Sequence, residues 1–235
     1  VEGARICGAT RLVMPHNDLG WLDRTLAERR AAHRHVLIAV EGLYSMDGDS
    51  PDLAGLLEIR RRHRVWVMVD EAHALGTLGA TGRGTAEAQG VDPAEIDVWM
   101  GTLSKSLASC GGYVCGSRVL VEHLKAHAPG FVYSVGMAAP VAAAAEAALS
   151  AMLAEPWRVA RLRALSRHML ACAKDSGLDT GRGQGTAILP VMTGDSLTAV
   201  RTSAALREAG INALPVVHPA VPERRAHLRA QRRRP

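Results

Sequence analysis

Short, β-rich apolar runs alternate with amphipathic segments along the chain, the pattern of an α/β protein. Residues 11–14 are the first strand candidate. Pro15-His16-Asn17-Asp18 follows, with Asn17 or Asp18 placed to cap a helix over 19–32. Residues 36–40 and 65–69 are apolar throughout and predict strands of the buried parallel kind. Between them, residues 46–51 read as a loop. Pro51 opens a helix over 52–62 whose apolar face is Leu53, Leu56, Leu57 and Ile59. Residues 76–84 form a glycine-rich loop, 96–100 a further strand, 113–115 a short one and 120–126 a helix. The alanine-rich stretch 138–152 predicts a packed helix that breaks near Pro156, and a second helix covers 157–174. Composition then turns polar and glycine-rich over 176–185. A strand at 187–191, a helix at 197–209 and a strand at 211–214 follow. This shift divides the chain into a large unit, 1–154, and a smaller partial one, 155–235. No internal repeat is present.

Composition narrows the class. A chain of 235 residues with 48% hydrophobic content can bury a substantial core. No apolar run reaches the ~20 residues of a membrane span, and no secretory signal opens the sequence, so a cytoplasmic protein is expected. The net charge of +5 is concentrated in a final stretch with six arginines, from Arg224 to Arg234, which reads as a solvated terminus. The rest is close to neutral, which argues against a nucleic-acid face. Cys7, Cys110, Cys115 and Cys172 have no paired spacing, so neither a zinc site nor a disulfide framework is expected.

The candidate chemistry lies at predicted strand ends. Gly101-Thr102-Leu103-Ser104-Lys105-Ser106 places a lysine among hydroxyls just past one strand, ahead of Gly111-Gly112. Taken alone, Lys105 reads as a loop lysine. Asp70-Glu71-Ala72-His73 ends another strand. A helicase reading of that motif needs a phosphate loop that the sequence lacks, and a metal site needs more closely grouped ligands. A carboxylate at the carboxyl end of a parallel strand can instead pair with a protonated ring nitrogen. Pyridoxal phosphate needs a lysine for its aldehyde, a carboxylate for its pyridinium nitrogen and donors for its phosphate. Lys105, Asp70, Thr102 and the following glycines supply that set, and Ser45, in Glu41-Gly42-Leu43-Tyr44-Ser45-Met46-Asp47-Gly48, is a further candidate contact.

Taken in order, residues 41–48, Asp70-Glu71-Ala72-His73, residues 79–84 and residues 101–105 resemble the α-oxoamine synthases, over about residues 1–229. These are fold-type-I pyridoxal-phosphate enzymes of the class II aminotransferase group. The resemblance implies a mostly parallel central sheet flanked by helices, with part of a small C-terminal α+β domain. It makes 1–154 the cofactor-binding domain. It implies that Lys105 forms the Schiff base and acts as general base, that Asp70 pairs with the pyridinium nitrogen, and that His73 bonds the ring's phenolic oxygen. Thr102 would bind the phosphate and Ser45 the cofactor. Ser134 would reach the phosphate of a neighbouring subunit in a homodimer. Arg229 would hold the amino-acid carboxylate, unless it is one more arginine of the basic tail. The implied reaction condenses an amino acid with an acyl-CoA or carrier-bound acyl thioester to an α-amino ketone. A catalytically incomplete fragment or remnant and a related aminotransferase stand as alternatives. Family members are longer at both ends, so a truncated chain is expected, without the usual strand and final helix after Arg229.

Overall fold

The computed structural model describes residues 2–230. Three parallel strands, β1 (Leu37–Glu41), β2 (Trp66–Asp70) and β3 (Val98–Thr102), are joined by β4 (Gly112–Gly116), which pairs antiparallel with β3. The register aligns Ile38 with Val67 and Val40 with Val69, so these apolar side chains share one face. Against that face pack two helices. After a short α1 (Glu2–Ile6), α2 (Leu19–Arg29) contributes Leu22 and Leu26, and α3 (Leu53–His63) contributes Leu53, Leu56, Leu57 and Ile59. Leu53, Leu56, Val67 and Val69 are fully buried, each worth about 1.5–3 kcal/mol in area removed from water.

Caps set where these helices start. Asp18, rather than Asn17, accepts the Trp21 N–H at 2.7 Å, and Asp52 accepts the Gly55 N–H at 3.0 Å. Pro51 therefore lies just outside the cap of α3 and not within its first turn. Arg64 ends α3 in the left-handed region at φ 51°.

Three expectations are corrected here. Residues 11–14 form no strand. β1 and β2 are buried on one face only: Leu37 and Trp66, aligned on the other face, are 49% and 50% exposed. A continuous apolar run cannot distinguish two covered faces from one. The alanine-rich helix, α7 (Ala139–Ala154), has no buried residue. Before it come α4 (Thr85–Gln89), α5 (Arg118–His127) and α6 (Pro129–Val132).

The long α8 (Trp157–Asp175) leads to a second sheet. There β5 (Leu189–Gly194) and β6 (Ala213–Val216), separated in sequence by α9 (Ser196–Glu208), flank a central antiparallel β7 (Ala226–Ala230). β7 corrects the reading of a solvated basic terminus: Ala226, His227 and Leu228 are buried. The last arginines, Arg232 to Arg234, lie outside the described residues.

Candidate active site

β1, β2 and β3 end at one edge of the first sheet, where Glu41 aligns with Asp70 and Asp70 with Met100. Three loops leave that edge side by side, and the carboxyl ends of parallel strands are where open α/β sheets take ligands. Asp70 closes β2 and is half-buried; its Oδ1 accepts the Ala72 N–H at 2.8 Å. His73 follows in the same turn. Burial, with the positive charges of Lys105 and Arg229 added, pushes its pKa down to about 4, so the imidazole is neutral at neutral pH. His73, Lys105 and Arg229 thus share one electrostatic neighbourhood.

Lys105 is exposed on a tightly bonded turn. Leu103 N–H donates to Gly111 O at 3.0 Å, and Ser109 N–H to Leu103 O at 2.8 Å. The Ser106 hydroxyl donates to Leu75 O at 2.7 Å, tying the lysine turn to the segment that follows His73. The Thr102 hydroxyl donates to Gly111 O at 3.1 Å and accepts the Ser104 N–H at 3.1 Å. The Thr102 and Ser104 hydroxyl oxygens lie 2.7 Å apart, a pair of polar groups beside the lysine.

On the β1 side, Ser45 N–H donates to Glu41 Oε2 at 3.0 Å. The Ser45 carbonyl accepts Arg229 Nη1 at 3.3 Å. Arg229 belongs to β7, paired with Pro190 and Leu214, and its Nε is buried without a hydrogen-bond partner among the described residues. One strand edge thus gathers Asp70, His73, Thr102, Lys105, Ser45 and Arg229. Ser134 stands apart. It is exposed, its hydroxyl donates to Val135 O at 3.1 Å, and among the described residues no hydrogen bond joins it to the cluster.

Sequence reasoning missed Glu71. Its carboxylate, 4% exposed, accepts the Thr85 N–H at 3.1 and 3.2 Å. Burial raises its pKa against the opposing effect of the Thr85 bonds. Gly42 and Gly84 leave room for it: a Cβ on either would overlap the Glu71 carboxylate or the Thr85 hydroxyl. Glu71 therefore fixes the glycine-rich loop to the ends of β1 and β2. The signal was present in the adjacent Asp70-Glu71 pair, since successive residues at a strand end point to opposite faces.

The donor set suits pyridoxal phosphate. It offers an accessible amine at Lys105, a carboxylate at Asp70, a neutral imidazole at His73, hydroxyls at Thr102 and Ser104, and an orphaned guanidinium N–H at Arg229.

The sequence profile of the aminotransferase class I and II family matches residues 1–231, and the chain belongs to that family. Within it, similarity runs to the α-oxoamine synthases. The chain is 38% identical to the 8-amino-7-oxononanoate synthase of Alkalilimnicola ehrlichii over 229 residues, covering 97% of this chain and 58% of that protein. It is 39% identical to the enzyme of the same name from Methylobacterium nodulans, covering 97% of this chain and 55% of that one. In structure it resembles the serine palmitoyltransferase of S. paucimobilis with a bound PLP–myriocin aldimine. The TM-score is 0.86 at 29% identity, covering 92% of this chain and 54% of the other. The chain thus spans little more than half the length of these relatives. The shared fold is that of the pyridoxal-phosphate-dependent transferases, a mostly parallel sheet flanked by helices.

Proposed function

We propose that this chain carries the lysine-bearing part of a pyridoxal-phosphate-dependent acyltransferase, which condenses an amino acid with an acyl-CoA or carrier-bound acyl thioester to an α-amino ketone. The observation that carries this reading is the shared neighbourhood of His73, Lys105 and Arg229 at the strand edge that ends in Asp70. When bound, the cofactor supplies an electron sink for the carbanion that attacks the thioester.

The chain's own residues do the rest. Lys105 would hold the cofactor aldehyde through its amine, and the same amine would serve as the base for the α-proton of the amino acid. The Asp70 carboxylate keeps the ring nitrogen protonated. His73, neutral because of its burial and cationic neighbours, gives a hydrogen bond to the ring's phenolic oxygen without adding charge. Thr102 holds the phosphate, and Ser45 orients the cofactor from the β1 side. Arg229 receives the amino-acid carboxylate, a role its unpartnered Nε suits.

Ser134 serves a second copy of the chain in a homodimer. Its exposed apolar surroundings support this: Phe131, Tyr133 and Val135 are 63%, 88% and 93% exposed. Residues 1–154 act as the cofactor-binding unit and 155–235 as the smaller one. Four exposed free thiols favour a reducing, cytoplasmic setting. No described helix is long and apolar enough to cross a membrane.

The uncovered sheet face at Leu37 and Trp66 favours a second reading, in which this stretch of chain holds the cofactor but does not complete the reaction by itself. One experiment addresses both. The protein is mixed with pyridoxal phosphate, reduced with borohydride and mapped, and thioester cleavage is followed with glycine, alanine or serine. Modification at Lys105 with turnover supports the acyltransferase; modification without turnover supports the second reading. Modification elsewhere, or none, overturns both.

A further inference from the structure

We propose that His16 is a positioning residue that sets the place of Ser45, and through it the grip on the cofactor, by latching both ends of the loop that carries Ser45. The inference rests on the reading of Ser45 as a cofactor contact.

The loop after β1 closes on itself. Tyr44 N–H donates to Asp49 O at 2.8 Å, and Gly48 N–H donates to Tyr44 O at 2.9 Å. Tyr44 and Asp49 are therefore the two ends of the loop, and Ser45 is the residue next to one of them. His16 lies about thirty positions earlier in the chain and touches both ends. Its Nε2 lies 2.8 and 3.0 Å from the two oxygens of Asp49, and its ring packs on the Tyr44 ring with centroids 4.4 Å apart, tilted by 55°. Asn17 adds a second donor, Nδ2 to Asp49 Oδ2 at 3.1 Å, and also reaches Ser50 O at 3.2 Å. Asp49 is 6% exposed, so losing these donors leaves a buried carboxylate short of partners.

The opposite side of the loop is held by the smaller unit. The Thr186 hydroxyl donates to Gly48 O at 3.0 Å, and Arg229 donates to Ser45 O. With its Nε2 N–H donating to Asp49, His16 has no other side-chain hydrogen bond among the described residues. It reaches neither Lys105 nor Asp70 by a hydrogen bond, so its effect must travel through the loop. Pro15-His16-Asn17-Asp18 is thus more than a helix start: Asp18 caps α2 while the two residues before it brace the Ser45 loop.

The test compares wild type with His16→Ala and His16→Gln, the latter keeping a side-chain N–H donor at similar reach. In cofactor-free protein, deuterium exchange at the Tyr44 and Gly48 amides is expected to quicken about tenfold in His16→Ala, the loss of one buried bond. His16→Gln should restore most of the protection, and the β2 core amides should not change. Pyridoxal phosphate affinity should fall by about the same factor in His16→Ala and recover in His16→Gln, with Lys105 still the residue reduced by borohydride. Unchanged loop exchange, or a loosened loop with unchanged cofactor affinity, overturns the proposal. If His16→Ala does not fold, His16→Phe, which keeps a ring against Tyr44 but has no N–H for Asp49, takes its place with the same expectations. If wild type takes up no cofactor at Lys105, the functional reading fails, and the exchange data still decide whether His16 latches the loop.

Discussion

Arg229 Nη1 donates to the Ser45 carbonyl at 3.3 Å, joining residues 184 positions apart in the chain. The bond exists because β7 is the central strand of the second sheet and carries Arg229 to the edge where β1 ends. It converts a residue that looked like part of a basic terminus into a member of the candidate site.

Substituting Arg229 tests the proposed carboxylate contact apart from its bond to Ser45. Arg229→Ala is expected to weaken amino-acid binding at least about tenfold, the loss of one charge-assisted bond, while borohydride still traps the cofactor at Lys105. Arg229→Lys should recover little, since an ammonium cannot reproduce the fork of the guanidinium. Absorbance titration of the cofactor-loaded protein with glycine, alanine and serine measures this; unchanged titration curves would count against a carboxylate-binding role.

The depressed pKa of His73 predicts acid sensitivity. Its value falls from 6.5 to about 4 on folding, so the unfolded chain takes up a proton that the folded one refuses. The stability that neutral His73 contributes is complete above 6.5, declines as pH falls towards about 4 and then levels. His73→Gln should lessen that decline. Urea midpoints across this range, wild type against variant, provide the measurement.

Glu71 has the opposite sign. Its pKa is raised by burial, so its contribution is complete below 4.5 and is lost as pH rises through the folded value. Glu71→Gln keeps an oxygen for the Thr85 N–H and removes the charge that burial disfavours. The variant should therefore be more stable than wild type at neutral pH and lose that advantage in acid. A variant less stable at neutral pH would show that the charge, not the shape, holds the glycine-rich loop.

Arg64 ends α3 with φ 51°, a conformation that costs an L-residue about 1–2 kcal/mol. Its carbonyl accepts Arg30 Nη2 at 3.1 Å, a bond that glycine would keep. Arg64→Gly is expected to raise stability by about 1 kcal/mol, seen as a higher thermal midpoint with unchanged cofactor labelling.

Where local pattern and tertiary demand agree, the sequence was enough. The apolar runs that become β1, β2 and β3, a helix start at Asn17-Asp18, and the strand-end position of Asp70 and Lys105 all follow from propensity, capping and the rule that ligands gather at parallel strand ends. The order of motifs around Ser45, Asp70, His73 and Lys105 also carried the family.

Other features needed the fold. Ala-His-Leu-Arg-Ala is too short and too mixed to announce a strand, and β7 forms because β5 and β6 already offer it hydrogen bonds on both sides. The exposure of Leu37 and Trp66 depends on what packs against the sheet, which a strand's own residues do not specify. The burial of Glu71 needs Gly42, Gly84 and Thr85 to meet from separate loops. The chain by itself determined which groups stand at the strand ends, Asp70 and the Lys105 turn among them, because strand and turn chemistry are local. Only the tertiary structure decided that Arg229 and His16 act on the Ser45 loop, because long-range contacts depend on how the chain closes in space.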